Sequence, residues 1–335
     1  MAAYFDSGIG FGEKKSWHGQ EELLPADSEL RFDAMATFQR AALDYEVYKV
    51  PFESLMREGL PDEFTGAFTG MNHVIRSDNM QVLTKESSVS DTYTFMQNME
   101  MAERVQRFLE SGKMALEFVA SLQAGRIIYA QCRLLGVDMT IDEQSGDRID
   151  VFQTFANGHD GTFSCKHIAT DVRTVCSNTF AASLRQGSAF MTRHTKNMST
   201  RLDNIENQIQ DDIDRCRDRK KLYKQMLACG ISEYALQKYL QSVFGVADKK
   251  RSDISTRKKN QMNHVENLVK RGLGQDGRLS YWAALNGVTE WLSHYRKADA
   301  GKREFSNMLD VGNAASDAAM ATKAMRLAAR LTLAA

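Results

Sequence analysis

Proline is confined to the first fifth of this chain of 335 residues, and no other sequence feature constrains the fold as strongly. The three prolines are Pro25, Pro51 and Pro61. Proline removes a backbone hydrogen-bond donor and breaks helices, so no residue of this kind interrupts a helix after position 61. The second half of the chain is therefore free to form long helices.

Apolar residues recur at spacings of three to four in that half, which is the periodicity of helices with one buried face. The pattern predicts helices over residues 197–228, 233–244, 281–295 and 313–335. The first has a narrow apolar stripe, suited to packing on one neighbour. The hydrophilic, basic segment 249–259 is predicted to be a linker. Residues 197–335 are therefore expected to form a helical region that contains this basic linker.

The centre of the chain has the β-branched, alternating composition of strands. Strands are predicted over residues 126–134, 148–156 and 162–175, and Ser177 is a suitable N-cap for a helix that follows them. Upstream, the pattern predicts a helix over 34–42, a strand over 44–52 and a helix over 91–111. We therefore expect an α+β fold with a central, mostly antiparallel sheet, a β-β-β-α core and a helical C-terminal region. The expected domains are an N-terminal arm (1–35), the α+β core (36–196) and the helical region (197–335).

Composition indicates a globular protein, since 43% of the residues are hydrophobic and 26% are charged. No run of 18 apolar residues suggests a transmembrane helix, and the first residues lack the pattern of a signal peptide. Five cysteines without a C-x-x-C pair indicate reduced thiols rather than a disulfide framework. We therefore expect a cytoplasmic protein without a membrane partner.

The net charge of zero conceals an asymmetry between the two halves. Residues 1–150 carry 14 basic and 25 acidic side chains, and residues 151–335 carry 29 basic and 18 acidic ones. One interpretation is that the basic half faces a polyanion such as nucleic acid. In a second, the halves attract each other within one chain or between copies. In a third, the difference is an uneven but solvated surface.

Cofactor and metal motifs are missing from the sequence. Neither a GxxxxGK[ST] phosphate loop nor a GxGxxG turn after a strand is present. Cys165, His167, Cys176 and His194 have side chains that suit zinc, but their spacing matches no zinc motif. We therefore expect no cofactor and no metal.

Basic residues are concentrated in the stretch that follows the central strands. Residues 151–200 hold five basic and two acidic side chains, and cations along a path can hold successive phosphates. The predicted nucleic-acid-binding residues are Arg126, Lys166, Arg173, Asn178, Arg185, Arg193, His194 and Lys196. Aromatic residues at Tyr129, Phe152, Phe155 and Phe163 could stack on bases, although aromatic residues in strands are more often part of the core.

Two other functions remain open from the sequence. The first is an enzyme acting on nucleic acid or nucleotides, with Cys176 as nucleophile and His194 or His159 as base. It requires the two side chains to lie within hydrogen-bonding distance. The second is an accessory protein that binds a host protein through the acidic first half. The expected function is non-catalytic, so no catalytic residue is predicted.

Several short motifs, in their order along the chain, resemble those of the phage/plasmid-like proteins, an uncharacterised family of bacteriophages and mobile elements. They are Trp17-His18-Gly19, Leu43-Asp44-Tyr45, Arg76-Ser77-Asp78, Gln123-Ala124-Gly125-Arg126, Asn157-Gly158-His159-Asp160-Gly161, the run 172–179, Arg193-His194-Thr195 and Asn286-Gly287-Val288-Thr289. The resemblance implies a phage or plasmid gene, cytoplasmic expression in a bacterial host cell and work on DNA.

The predicted core also resembles that of the single-strand annealing recombinases, a likeness of fold alone. Such proteins need a basic groove that holds one strand with its bases exposed, and they usually form rings or filaments. The resemblance therefore implies a homo-oligomer that binds single-stranded DNA and supports DNA recombination by strand annealing.

Overall fold

The computed structural model describes residues 6–12, 21–55, 70–85, 87–137, 140–143, 147–170, 188–203, 205–271, 279–295 and 313–334. The chain divides into two compact units. Residues 1–137 and 150–212 form the first, here called the sheet unit, and residues 138–149 and 213–335 form the second, the helical unit.

Seven strands of the sheet unit form one sheet in the order β12-β11-β10-β7-β6-β1-β2. They are β1 (Ser7–Phe11), β2 (Glu22–Leu24), β6 (Met114–Leu122), β7 (Ile127–Leu134), β10 (Phe152–Gly158), β11 (Cys165–Thr170) and β12 (Ser188–Thr192). Neighbours are antiparallel except β1 and β2. Three further strands form a second sheet: β3 (Val47–Pro51), β4 (Met71–Arg76) and β5 (Val89–Ser90).

The helices of the described residues fall mostly after the sheet. They are α1 (Ala34–Arg40), α2 (Asn98–Glu110), α3 (Met198–Asp203), α4 (Ile205–Ala228), α5 (Glu233–Val243), α6 (Thr256–Arg271), α7 (Tyr281–Glu290) and α8 (Asn313–Leu333). The boundary between the two units falls within α4. The helical unit also contains a short two-stranded ribbon, β8 (Thr140–Asp142) with β9 (Asp147–Arg148). None of the described helices is long and apolar enough to span a membrane.

The structure confirms the predicted α+β class, with its mostly antiparallel central sheet and helical C-terminal region. The three predicted core strands correspond to β7, β10 and β11, which are neighbours in the sheet. The helix predicted after Ser177 lies within 171–187, outside the described residues.

Two segments differ from their predicted structure. Strands β1 and β2 come from the predicted N-terminal arm, and β1 pairs with the buried strand β6. The predicted linker 249–259 contains a short 3-10 helix (Arg251–Asp253) and the first residues of α6. Helix α6 forms because Val265, Leu268 and Val269 are buried on one face, which offsets its polar beginning.

Candidate nucleic-acid interface

Lys166 and Met191 lie directly opposite each other on the neighbouring strands β11 and β12. Opposed residues of an antiparallel pair project from the same face of a sheet. Met191 is 60% exposed, and Arg193, two residues further on, is also exposed. The ammonium of Lys166 lies over the ring of Phe163, 4.2 Å from its centroid. We call this group of Phe163, Lys166, Met191 and Arg193 the basic face.

Phe163 is held against the sheet through a close approach to Gly158. A Cβ atom at position 158 would lie 2.6 Å from the Cβ of Phe163 and 2.7 Å from its carbonyl oxygen, so any residue larger than glycine would displace Phe163. Phe163 also packs on a buried cluster that includes Phe118, Tyr129 and Ala156. Its ring is therefore a fixed, partly exposed platform under Lys166. Burial lowers the pKa of Lys166, whereas the ring face beneath the ammonium favours the cation.

A second group of side chains lies at the same end of the sheet but is buried. Arg126, which follows the β6–β7 turn, donates from Nε to Asp160 Oδ2 at 2.8 Å, and its Nη2 donates to the same oxygen. The Asp160 side chain is only 1% exposed. Its other oxygen accepts from the backbone N–H and the hydroxyl of Thr162. The charge of Arg126 is thus compensated within the fold.

Two histidines extend this buried group. His159 Nε2 lies 2.8 Å from the side-chain oxygen of Asn98, to which it must donate because an amide oxygen only accepts. His194 donates from Nδ1 to the carbonyl of Thr94 at 3.1 Å. Desolvation lowers the pKa of His159 to about 3 and lowers that of His194 as well. His159 is therefore neutral at pH 7.

His194 also packs as an aromatic ring. It stacks on Tyr93 with the ring centroids 4.7 Å apart, and the Tyr93 hydroxyl donates to the carbonyl of Gly158 at 3.1 Å. Together, Arg126, His159, Asp160 and His194 form what we call the buried polar cluster. It joins the β6–β7 turn, the end of β10, the end of β12 and the segment before α2.

Motifs far apart in the sequence meet around the β6–β7 turn. The turn has positive φ angles at Gln123, Ala124 and Gly125. Arg76 donates to the carbonyl of Ala124 at 3.1 Å, and its guanidinium lies over the ring of Tyr45, 3.8 Å from the centroid. The hydroxyl of Tyr45 donates to the carbonyl of Gly125. Three of the short motifs singled out in the sequence therefore form one contact network.

The predicted binding residues occupy three kinds of position. Lys166 is half-buried on the basic face, and Arg193 and Lys196 are exposed. Arg126 and His194 belong to the buried polar cluster, where they serve as internal partners. Arg173, Asn178 and Arg185 lie outside the described residues, as does Cys176. The structure thus brings together one set of surface cations and one set of buried polar groups.

The aromatic residues divide in the same way. Tyr129, Phe152 and Phe155 are at most 6% exposed and belong to the core, whereas Phe163 is partly exposed. Cys165 and His167 lie on the same face of β11, but the described residues contain no group of three ligands that could hold a metal ion. Sequence reasoning missed the pairing of Arg126 with Asp160, because nothing local connects positions 34 residues apart.

Comparison with known proteins gives one match. The model of a domain family described as Domain of unknown function (DUF932) matches residues 85–328, which is most of the chain. The chain belongs to this family. No curated protein and no solved structure matches it. The expected membership of an uncharacterised family is confirmed, while the phage or plasmid origin and the likeness to annealing recombinases stay predictions. Both the basic face and the buried polar cluster lie within the DUF932 match.

Proposed function

We propose that this DUF932 protein binds single-stranded DNA on the basic face without catalysing a reaction. The observation that carries the proposal is the position of Lys166 over Phe163, beside the exposed Met191 and Arg193. A binder of single strands needs cations that follow the phosphates and flat apolar groups on which bases stack. The basic face offers both on and beside the neighbouring strands β11 and β12.

The basic charge of the second half supports the same proposal. Residues 151–335 hold 29 basic and 18 acidic side chains, which favours association with a polyanion. Arg193 of the basic face is exposed, and so is Lys196, three residues further along the chain. We leave Arg126 and His194 out of the proposed interface, because Asp160 compensates the first and burial disfavours a charge on the second.

Strand annealing by an oligomer is part of the proposal. Annealing requires that bases stay accessible while phosphates are held, and a base that stacks on an aromatic ring keeps its pairing edge free. Annealing of complementary labelled strands, followed by energy transfer between their labels, would test this step. A protein that binds DNA but does not speed annealing would remain a simple binding protein.

The binding test is the salt dependence of affinity for a fluorescent single-stranded oligonucleotide, measured by anisotropy. Each phosphate of a single strand that a cationic side chain neutralises releases counterions and contributes about −0.7 to the slope of log affinity against log salt. The double variant Arg193→Ala with Lys196→Ala should bind more weakly and flatten that slope by roughly 1.4. A duplex of the same sequence should bind more weakly, since its bases are not available for stacking.

A matched control removes the same charge elsewhere. Lys113 and Lys249 are both exposed. Lys113 lies just before β6, at the end of that strand away from the β6–β7 turn. Lys113→Ala with Lys249→Ala should leave the slope close to that of the unchanged protein. An equal loss in both double variants would show that only overall charge matters. No binding to any nucleic acid at low salt would overturn the proposal and favour a protein partner.

A further inference from the structure

A cavity of about 240 Å³ lies in the sheet unit on the side of β11 that carries Cys165. It is enclosed by α2, β10, β11 and α3. The residues that line it are Met96, Met101, Arg104, Arg107, Phe108, Phe155, Ala156, Cys165, Lys166, Leu202 and Asp203. Its volume is just below the roughly 300–1,000 Å³ of ordinary ligand pockets, so it suits a small molecule.

The inner wall of the cavity is apolar and flat. Phe108 and Phe155 stack with their ring centroids 5.2 Å apart and their planes 26° apart. Met96, Met101 and Leu202 are each at most 4% exposed. Aromatic and thioether side chains of this kind favour a planar ring as a neighbour.

Two arginines of α2 supply the polar part of the cavity. Arg104 donates to Asp203 Oδ1 at 2.9 Å and to the hydroxyl of Ser199 at 2.8 Å, and Glu100 lies 3.6 Å away. These contacts hold the guanidinium, which is 15% exposed, in one orientation. Its Nε atom is nevertheless buried and has no hydrogen-bond partner in the described part of the chain. A buried donor without an acceptor is costly, and a bound acceptor would relieve that cost.

Arg107 lies one turn further along α2 and is exposed. It forms no ion pair with the residues that the structure describes. The ammonium of Lys166 is directed to Phe163 instead, so the donors available to a ligand are the guanidinium of Arg107 and the unpartnered Nε of Arg104. Of the acidic residues near them, Asp203 lines the cavity, and it is already engaged by Arg104.

We propose that this cavity binds a small planar organic molecule with one anionic group, its ring against Phe108 and Phe155 and its anion on Arg104 and Arg107. The forked guanidinium of Arg107 matches the two oxygens of a carboxylate or phosphate, and the Nε of Arg104 supplies one further donor. Carboxylate and phosphate share this chemistry, so the ligand is either an aromatic carboxylate or a nucleoside monophosphate. Binding involves no covalent step, because burial raises the pKa of the Cys165 thiol to about 12 and keeps it protonated.

The test is calorimetric titration of the full chain with two probes, thymidine 5′-monophosphate and indole-3-carboxylate. We expect at least one to bind, and the tighter probe identifies the class of anion. Thymidine and indole-3-carboxamide, which lack the charge, should bind at least tenfold more weakly. Arg107→Gln removes one of the two cations, so it should weaken binding of the charged probe by at least tenfold. The side chain of Arg107 is exposed, so this substitution should not disturb the fold.

Two further variants separate binding from folding. Cys165→Met fills part of the cavity while keeping both arginines, so it should remove binding although the protein unfolds at a similar temperature. Lys113→Gln, which changes an exposed cation just beyond α2, should leave the affinity unchanged. If neither probe binds at millimolar concentration, the proposal is overturned. Equal affinity for the charged and uncharged forms, or full affinity in Arg107→Gln, would also overturn it. DNA binding by the basic face is measured separately, so either proposal can fail alone.

Discussion

The two units differ most in what they bury. Among the described residues, the sheet unit buries polar or charged side chains at seventeen positions and the helical unit at one, Ser280. Those of the sheet unit are Glu21, Arg31, Thr37, Asn72, Thr84, Asn98, Glu117, Ser121, Gln131, Gln153, Thr154, Asn157, His159, Asp160, His167, Thr192 and His194. The buried residues of the helical unit are otherwise apolar, with aromatic pairs such as Tyr223 and Trp282, whose ring centroids are 4.8 Å apart.

This difference separates two ways of stabilising a fold. Apolar burial is non-directional, so the helical unit depends on shape and volume. Buried polar groups are favourable only with their partners in place, so those of the sheet unit fix the position of each segment they join. Arg126 and Asp160 fix the β6–β7 turn on the end of β10, and His194 fixes the end of β12 on Thr94. The segments so fixed are the ones that carry the basic face.

The largest expected effect is the loss of the buried ion pair. Asp160→Ala leaves the guanidinium of Arg126, which is 19% exposed, without its carboxylate. Removing one partner of a buried pair costs about 3–5 kcal/mol. Urea unfolding should therefore show that order of loss in the free energy of unfolding.

The helical unit provides the control. Asp218 pairs with Lys221 at 3.1 Å, but both side chains are 77% exposed. Asp218→Ala should change the free energy of unfolding by less than about 1 kcal/mol, as expected for exposed pairs. Similar losses in the two variants would show that Arg126 finds another partner or water, and that the contrast between the units is weaker than the contacts indicate.

A smaller effect is expected where the helical unit is most closely packed. A Cβ atom at Gly287 of α7 would lie 2.4 Å from a methyl carbon of Val269 on α6. Gly287→Ala should therefore overpack this contact and cost about 1–3 kcal/mol. At Gly230 the nearest atom to an added Cβ is 3.7 Å away, so Gly230→Ala should be nearly neutral. Equal unfolding temperatures of the two variants would show that α6 and α7 are not closely packed at Gly287.

Particular elements show what could be predicted from the sequence. Helices α2 and α5 were predictable because each keeps one buried face, which gives a periodic pattern. Strand β6 was not predictable, since all nine of its residues are buried and the pattern does not alternate. Strand β1 resembles a loop because Gly8 and Gly10 are glycines that allow close packing on Phe118.

The candidate site was predictable only in part, because a sequence shows local charge but not which distant residues are paired. Lys166, Arg193 and Lys196 could be selected because local density of positive charge is visible in a sequence. Whether Arg126 has a free charge depends on Asp160, and only the sheet register brings the two together. The cavity beside α2 was missed because Arg104 and Arg107 fit the ordinary polar face of an amphipathic helix.

The buried histidines of the sheet unit predict a dependence of stability on pH. Desolvation lowers the pKa of His167 to about 3, and its Nε2 has no partner among the described residues. Below the ordinary histidine pKa of about 6.5, the unfolded chain takes up a proton that the native protein excludes. Stability should therefore fall as the pH decreases from 6.5 towards 3, by about 1.4 kcal/mol per pH unit for each such histidine.

His167→Leu removes one of these groups and keeps the site apolar. Relative to the unchanged protein, the variant should gain about 1.4 kcal/mol for each pH unit below 6, measured by urea unfolding between pH 4.5 and 7. A difference in stability that is constant over this range would show that the native protein also protonates His167. The described part of the helical unit buries no histidine, so this sensitivity is assigned to the sheet unit.

The smallest expected effect is that of a thiol reagent on the buried cysteines of the sheet unit, which should hardly react. Cys132 and Cys165 of the sheet unit are at most 4% exposed, and desolvation raises the pKa of both thiols. With a pKa of about 12, on the order of one Cys165 thiol in 10⁴ is ionised at pH 8. Cys229 of the helical unit is partly exposed. A thiol reagent added to the native protein should therefore modify Cys229 well before Cys132 or Cys165, as located by peptide mass spectrometry.

The same experiment decides between the binding and enzyme hypotheses, because Cys176 is the nucleophile that the enzyme hypothesis requires. An activated nucleophile reacts rapidly with thiol reagents at neutral pH, since its thiolate is already populated. If Cys176 is modified no faster than Cys229, the proposed binding function keeps its place, and Cys176→Ser should leave DNA affinity intact. If Cys176 is modified first and Cys176→Ser abolishes a reaction on nucleic acid, the enzyme hypothesis replaces it. In that case the buried polar cluster, with His159 and His194, becomes the first place to search for the base.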